Sequence, residues 1–151
     1  MPADNAIAAA ACTCGRLRRA ARALTQLYDD LMIPSGLRVT QFSMLRTLER
    51  EGTATLTNLA QVLLLDRTAL SRNLDPLVDR GLVQILAGRD ARTREVSLTR
   101  SGAQAIRAAL PHWKRAQAQV SARIGAAKLQ ALVATLDAIE SLHPDRSGAA
   151  H

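Results

Sequence analysis

Aromatic side chains are nearly missing from this sequence: Tyr28, Phe42 and Trp113 are the only three in 151 residues. A core so poor in rings must be built from Leu, Ala, Val and Ile, which suits helix-on-helix packing and disfavours a sandwich or barrel. Cysteine is as scarce, with Cys12 and Cys14 alone. No disulfide framework can hold such a chain, and a reducing cytoplasm is the expected compartment. No apolar run approaches the roughly 18–20 residues that span a bilayer, so a membrane helix is excluded. Residues 1–11 carry no basic segment, and no secretory signal is expected. Lysine is almost absent as well: eighteen of the twenty basic residues are Arg.

What remains is an ordinary globular balance, 48% apolar and 22% charged, at a length that fits one domain. The formal net charge is +7, which favours an anionic partner such as nucleic acid or an acidic membrane face. Arg in particular offers a planar fork matched to phosphate and to guanine edges. A bias towards Arg and Ala codons would give the same totals. Residues 38–100 hold ten Arg against seven acids, so the placement of the arginines must decide.

The order of elements is informative. Residues 5–33 contain no Pro and only Gly15, and predict one long helix with Leu17, Ala20, Leu24, Leu27 and Leu31 at heptad spacing. Pro34-Ser35-Gly36 breaks it. Thr40 can cap a second helix that ends at Gly52, with Phe42, Leu45 and Leu48 inward. After a minor strand at 53–56, Thr57 can cap a short helix through Leu65, with Leu59, Ala60, Leu63 and Leu64 inward. Asp66 then caps a helix to Arg80 whose buried stripe is Leu70, Leu74, Leu77 and Val78, stopped by Gly81. Two β-type runs, 82–86 and 95–98, enclose a polar tip rich in Arg. Thr99 caps a long helix to about Arg123, with a kink expected at Pro111. A last helix follows Gly125, and the tail from Pro144 is expected to fray.

Short helix, turn, helix, basic hairpin: this is the order of a winged helix-turn-helix, mostly α (α+β) in class. The helix from Asp66 presents Arg67, Thr68, Ser71 and Arg72 early, where they can meet base edges in a major groove. The hairpin tip places Arg89, Arg92 and Arg94 within six residues, suited to a narrow, negative minor groove. Arginines on an exposed helix and turn can equally be plain solvated surface, and winged helices also serve as protein- or RNA-binding adaptors. Enzymatic work is not expected: no carboxylate pair, no nucleophile beside a base and no phosphate-cradling glycine loop stands out. No cofactor and no metal are called for.

The run Leu65-Asp66-Arg67-Thr68-Ala69-Leu70-Ser71-Arg72-Asn73-Leu74, followed by Leu77-Val78-Asp79-Arg80-Gly81-Leu82-Val83, resembles the recognition helix of the MarR family of bacterial transcriptional regulators. The stretch from Gly88 to Thr99 is similar to that family's Asp-Arg-Arg wing, with Ala91 in place of an Arg often found there. The likeness covers about residues 10–142. It implies that Asp90 orients Arg92 at the wing tip and that Arg92 enters the minor groove. It also implies a homodimer on a palindromic double-stranded DNA operator, probed by a winged lobe at 38–99 between dimerisation helices at 5–33 and 100–142. Leu17, Leu24, Leu27 and Leu31, with Leu132 and Leu136 near the C-terminus, are the expected interface. The alternative is that these stripes cover the domain's own core.

Two release mechanisms follow from the resemblance. Most such regulators respond to a small aromatic ligand held between the dimerisation helices and the DNA-binding lobe; Leu17, Leu24, Phe42, Leu45 and Trp113 are the candidate liners. Alternatively, Cys14 falls where the hydroperoxide-sensing branch carries its reactive cysteine, near a helix N-terminus that can favour the thiolate. Tyr28 matches one of the two tyrosines that hold that sulfur, and Arg18 stands in place of the other. Tyr28 lies about 21 Å along the helix from Cys14, so contact would have to cross the dimer. The functional expectation is a repressor released by a ligand, with an oxidant-sensing repressor as the rival and no membrane partner.

Overall fold

The computed structural model describes residues 12–144, so the expected helix turns at 5–11 and the tail at 145–151 lie outside the described residues. Helix α1 (Thr13–Met32) runs into a 3-10 turn (Ile33–Ser35) closed by Gly36 at φ 73°. Helix α2 (Val39–Glu51), strand β1 (Ala54–Thr55), helix α3 (Leu56–Leu63) and helix α4 (Arg67–Asp79) follow. Strands β2 (Val83–Ala87) and β3 (Arg94–Leu98) form a hairpin, then come α5 (Arg100–Ile124) and α6 (Ala126–Glu140). The sheet is antiparallel in the order β1-β3-β2, with Val83 opposite Leu98 and Ala87 opposite Arg94.

The core gathers where these elements meet. Leu45 and Leu48 of α2, Leu59 of α3, Leu70, Leu74 and Leu77 of α4, Val83 and Val96 of the hairpin and Ile106 of α5 are all buried. Each is a branched aliphatic at its element's inward spacing, so burial of this one stripe fixes the helix-turn-helix against the sheet. Val78, expected in the stripe, is 36% exposed. Leu63 and Leu64 are only half-buried, because α3 ends there and turns outward.

Two helix starts differ from expectation, and tertiary contacts explain the first. Helix α2 begins after Arg38 rather than Thr40, because Asp29 of α1 accepts the Val39 amide (2.8 Å) and Gln41 accepts the Arg38 amide (3.1 Å). Helix α3 is capped by Thr55, whose hydroxyl accepts the Asn58 amide at 3.1 Å, rather than by Thr57. Asp66 and Thr99 cap as expected, accepting from the Ala69 amide (2.7 Å) and the Gly102 amide (3.0 Å). Helix α5 continues as one helix through Pro111.

Gly102, an unremarkable position in the sequence, is where α5 presses on the hairpin. A Cβ there would overlap the Leu82 carbonyl oxygen and come within 2.6 Å of the Leu98 side chain. Backbone cannot yield as a flexible side chain does. Gly102→Ala is therefore expected to destabilise the fold by about 3 kcal/mol, the upper end of ordinary overpacking, read as a lower urea midpoint at unchanged slope.

Candidate nucleic-acid interface

The turn between α3 and α4 sets the angle of the second helix. Leu64 caps α3 at φ 54°, the only non-glycine residue with positive φ among the described residues. Its amide bonds Gln61 and the Leu65 amide bonds Ala60, closing the helix end. A left-handed Leu costs roughly 1–2 kcal/mol, a strain absorbed where two helices must meet sharply. Helix α4 then leaves with its N-terminal turn facing solvent. Arg67, Thr68, Ser71 and Arg72 are all exposed and line one shallow surface, joined by the exposed Asp75.

The far end of α4 is anchored twice. Gly81, at φ 69°, terminates it, and the Leu82 amide bonds the Leu77 carbonyl at 2.9 Å. Arg80 donates to the Gly36 carbonyl at 3.0 Å, tying the helix to the turn that joins α1 and α2. Thr99 completes the frame: its hydroxyl donates to the Gly81 carbonyl (2.6 Å) while it caps α5. The helix is thus held at its buried face and C-terminal end, and its Arg-bearing face is left open.

The wing is shaped by one carboxylate. Asp90 accepts the backbone amides of Arg92 and Thr93 and the Thr93 hydroxyl, each at 2.9 Å, and the Gly88 amide bonds the Thr93 carbonyl. Asp90 therefore orients Arg92 through its backbone, leaving the guanidinium unengaged by that carboxylate. Arg89, Arg92 and Arg94 are exposed around this turn. The hydrogen bonds from Arg92 and Thr93 hold the Asp90 carboxyl below its ordinary pKa. A lowered pKa means that the wing turn is favoured above the usual carboxylate range and is released as pH falls through the lowered value. Slow exchange of the Arg92 and Thr93 amides should accordingly persist as pH drops to about 4, the unperturbed Asp value, and be lost at neutral pH in Asp90→Ala.

Of the candidate liners of a ligand pocket, Phe42, Leu45 and Trp113 come together in the core, while Leu17 and Leu24 lie apart from them. Phe42 and Leu45 are buried in the core, and the Phe42 ring packs on Trp113 with centroids 5.8 Å apart. Leu17 lines a separate hollow at the start of α1 with Arg16 and Arg19, and Leu24 is 37% exposed. A different hollow of about 380 Å³ lies between α1, α2 and the helix-turn-helix, lined by Thr25, Val39, Met44, Leu65 and Asn73.

At the sensor end, Cys12 and Cys14 are exposed rather than core. Cys12, not Cys14, is the cap of α1, its sulfur accepting the Gly15 amide at 3.4 Å. Tyr28 donates to the Gln117 side chain of α5, and burial raises its phenol pKa. Arg18 is exposed. Among the described residues no group of three His, Cys, Asp or Glu side chains could hold a metal, and no helix is long and apolar enough to cross a membrane.

The DNA-bound regulator MosR of M. tuberculosis superposes on this geometry with a TM-score of 0.76; it is 40% identical, over 87% of this chain and 98% of that one. The chain belongs to the MarR family. A family model described as MarR family matches residues 35–93, the span from the end of the 3-10 turn to the wing tip. An E. coli MarR variant solved with operator DNA is 25% identical, with a TM-score of 0.75 over 85% of this chain and 94% of that one. Bordetella bronchiseptica BpsR, at 21% identity and TM-score 0.75 over 87% and 95%, shares the fold. No curated protein matches the chain. The protein is thus a transcription regulator with a DNA-binding winged helix, not an enzyme.

Proposed function

We propose that this MarR-family regulator represses transcription as a homodimer on a palindromic operator and leaves it when a small ligand binds. The observation that carries the reading is the pair of uncovered apolar stripes flanking the winged lobe. Along α1 only Met32 is buried; Leu17, Leu27 and Leu31 are half-buried and Leu24 is exposed. Helix α6 buries nothing, with Leu129, Leu132, Leu136 and Ile139 half-buried and Val133 51% exposed. Heptad stripes of Leu left partly wet call for a second helical surface, and two recognition helices are what a two-fold operator requires. The solved MosR and MarR complexes with DNA support the DNA side of this reading.

Thr68, Ser71 and Arg72 would enter the major groove with Arg67 at its edge, and Arg89 and Arg92 would follow the adjacent minor groove with Arg94 at the base of the wing. For release, the hollow between α1 and α4 suits a small aromatic molecule better than the buried Phe42–Trp113 pair. Met44 and Leu65 give it apolar walls, while Thr40, Ser43 and Asn73 supply polar groups. A ligand there would bear on the recognition helix directly. BpsR, whose DNA binding is regulated by 6-hydroxynicotinic acid, is a precedent for small-molecule control on this fold.

A gel shift against DNA upstream of the protein's own coding region, run in rising salt, tests the proposal. Retardation by a dimer, weakening steeply with salt, is expected; equal binding to any duplex would contradict it. A second reading, an oxidant-responsive repressor with Cys14 as sensor, is favoured by the exposure of that thiol. Tyr28 is committed to Gln117 of its own chain, so the oxidised sulfur would be held without it. Peroxide should then release wild type from DNA, with recovery in dithiothreitol, and leave Cys14→Ser bound. Wild type that stays on DNA in excess oxidant eliminates this reading.

A further inference from the structure

We propose that the hollow between the wing and the start of α4 is a seat for one phosphate of the DNA backbone, gripped by Arg67 and Arg94. This rests on the reading that the winged lobe docks on duplex DNA. The hollow measures about 270 Å³ and is lined by Thr55, Thr57, Arg67, Arg92, Thr93 and Arg94, with Leu56 between the two threonines. Three guanidiniums from two elements, one helix and one hairpin, thus border a single concavity. None of them is in an ion pair with a carboxylate among the described residues, unlike Arg46, which pairs with Glu49, and Arg50, which pairs with Glu51.

Two of the acids nearest in sequence are engaged elsewhere. Asp66 caps α4 through the Ala69 amide, and Asp90 holds the wing turn. Glu95 follows Arg94 on β3 and lies opposite Thr55 of β1, but it makes no ion pair with Arg67, Arg92 or Arg94. Like-signed cations left facing one another without a counter-charge repel. An oxyanion between them relieves that repulsion and takes charge-assisted bonds from both forks. The start of α3, which opens beside Thr55 and Thr57, adds its positive end to the same place.

The ligand class follows from the lining. At about 270 Å³ the hollow is smaller than the roughly 300–1,000 Å³ of ordinary small-molecule sites, and its walls are guanidinium and hydroxyl rather than apolar. A tetrahedral phosphate suits it; an aromatic effector does not. Held by the first residue of the recognition helix and the base of the wing together, one phosphate would fix the spacing between the groove-reading helix and the minor-groove arm. Arg67 would then position the lobe without reading sequence, and base readout would fall to Ser71 and Arg72.

The test uses the full chain and the duplex it selects from a random pool, resynthesised with one neutral methylphosphonate at each position in turn. One position in each half-site is expected to weaken wild type roughly tenfold, the scale of a lost charge-assisted contact. The same position should be almost silent in Arg67→Ala and in Arg94→Ala, whose salt slopes fall by about 1 per half-site. Arg67→Lys should restore much of the slope. If the neutral position weakens Arg67→Ala and Arg94→Ala as much as wild type, the seat is refuted while operator binding stands. If wild type selects no duplex at all, the docking reading fails and the seat with it. Free inorganic phosphate supplies the remaining arm. Perturbation of the Arg67 and Arg94 side-chain resonances that saturates at low phosphate without DNA would assign the hollow to a free anion and overturn the backbone assignment.

Discussion

Leu24→Asp combined with Leu136→Asp is expected to turn the protein into a folded monomer that no longer holds its operator. Leu24 is exposed in the single chain and Leu136 half-buried, and neither belongs to the core around Leu45, Leu70 and Ile106. The carboxylates should therefore leave the winged lobe intact, with helical content and lobe amide protection unchanged. In a helix–helix interface the same carboxylates would be buried without partners, each costing several kcal/mol. One winged lobe reads half a site, so loss of the partner should lower operator affinity by roughly 10³-fold or more, down towards non-specific binding. Sedimentation at micromolar protein, paired with operator titration, checks both halves. A double variant that sediments as a dimer and binds DNA like wild type removes α1 and α6 from the interface.

Arg72→Ala should act differently, on what is read rather than on how firmly the protein holds. Arg72 sits one turn into α4 on its open face, beside Ser71 and away from the wing hollow. A bidentate contact from that position to a guanine is worth about 1–3 kcal/mol against the wrong base. The variant is expected to lose that much on its preferred operator and to accept other bases at one position per half-site. Arg92→Ala should instead weaken binding across sequences, most where A-tracts narrow the minor groove. A panel of single-base operator variants, titrated with each protein, separates the two. Unchanged base preference in Arg72→Ala would move the base contact to another residue of the helix.

Much of this architecture could be read before any coordinates. The stripe Leu70, Leu74, Leu77 with Asp66 at one end and Gly81 at the other defines α4 by local chemistry alone, and Thr99 marks the start of α5 for the same reason. The wing was legible because its turn is built by a side chain two residues from the amide it binds. What escaped the sequence is what depends on distant segments. Asp29 supplies a cap ten residues away, and so shifts the start of α2 from Thr40 to Arg38. Arg80 meets a carbonyl 44 residues back. Gly102 looks like any helical glycine until the Leu82 carbonyl is set against it. The aromatic pair that suggested a ligand pocket is filled by its own members, because Phe42 and Trp113 pack on each other. The exposure of Cys12 and Cys14 was not legible either: a small thiol is usually buried, whereas both are exposed where α1 begins.

The most direct measurement is a hydroxyl-radical footprint of the full-length protein on the upstream DNA it retards. Two symmetry-related blocks of protection are expected, with centres about one helical turn, 10–10.5 base pairs, apart or a multiple of that. Each should pair a protected major-groove segment with a flanking minor-groove segment that reappears in Arg92→Ala. A single unpaired block, or uniform protection without a centre of symmetry, would contradict a homodimer reading a palindrome through α4 and the wing.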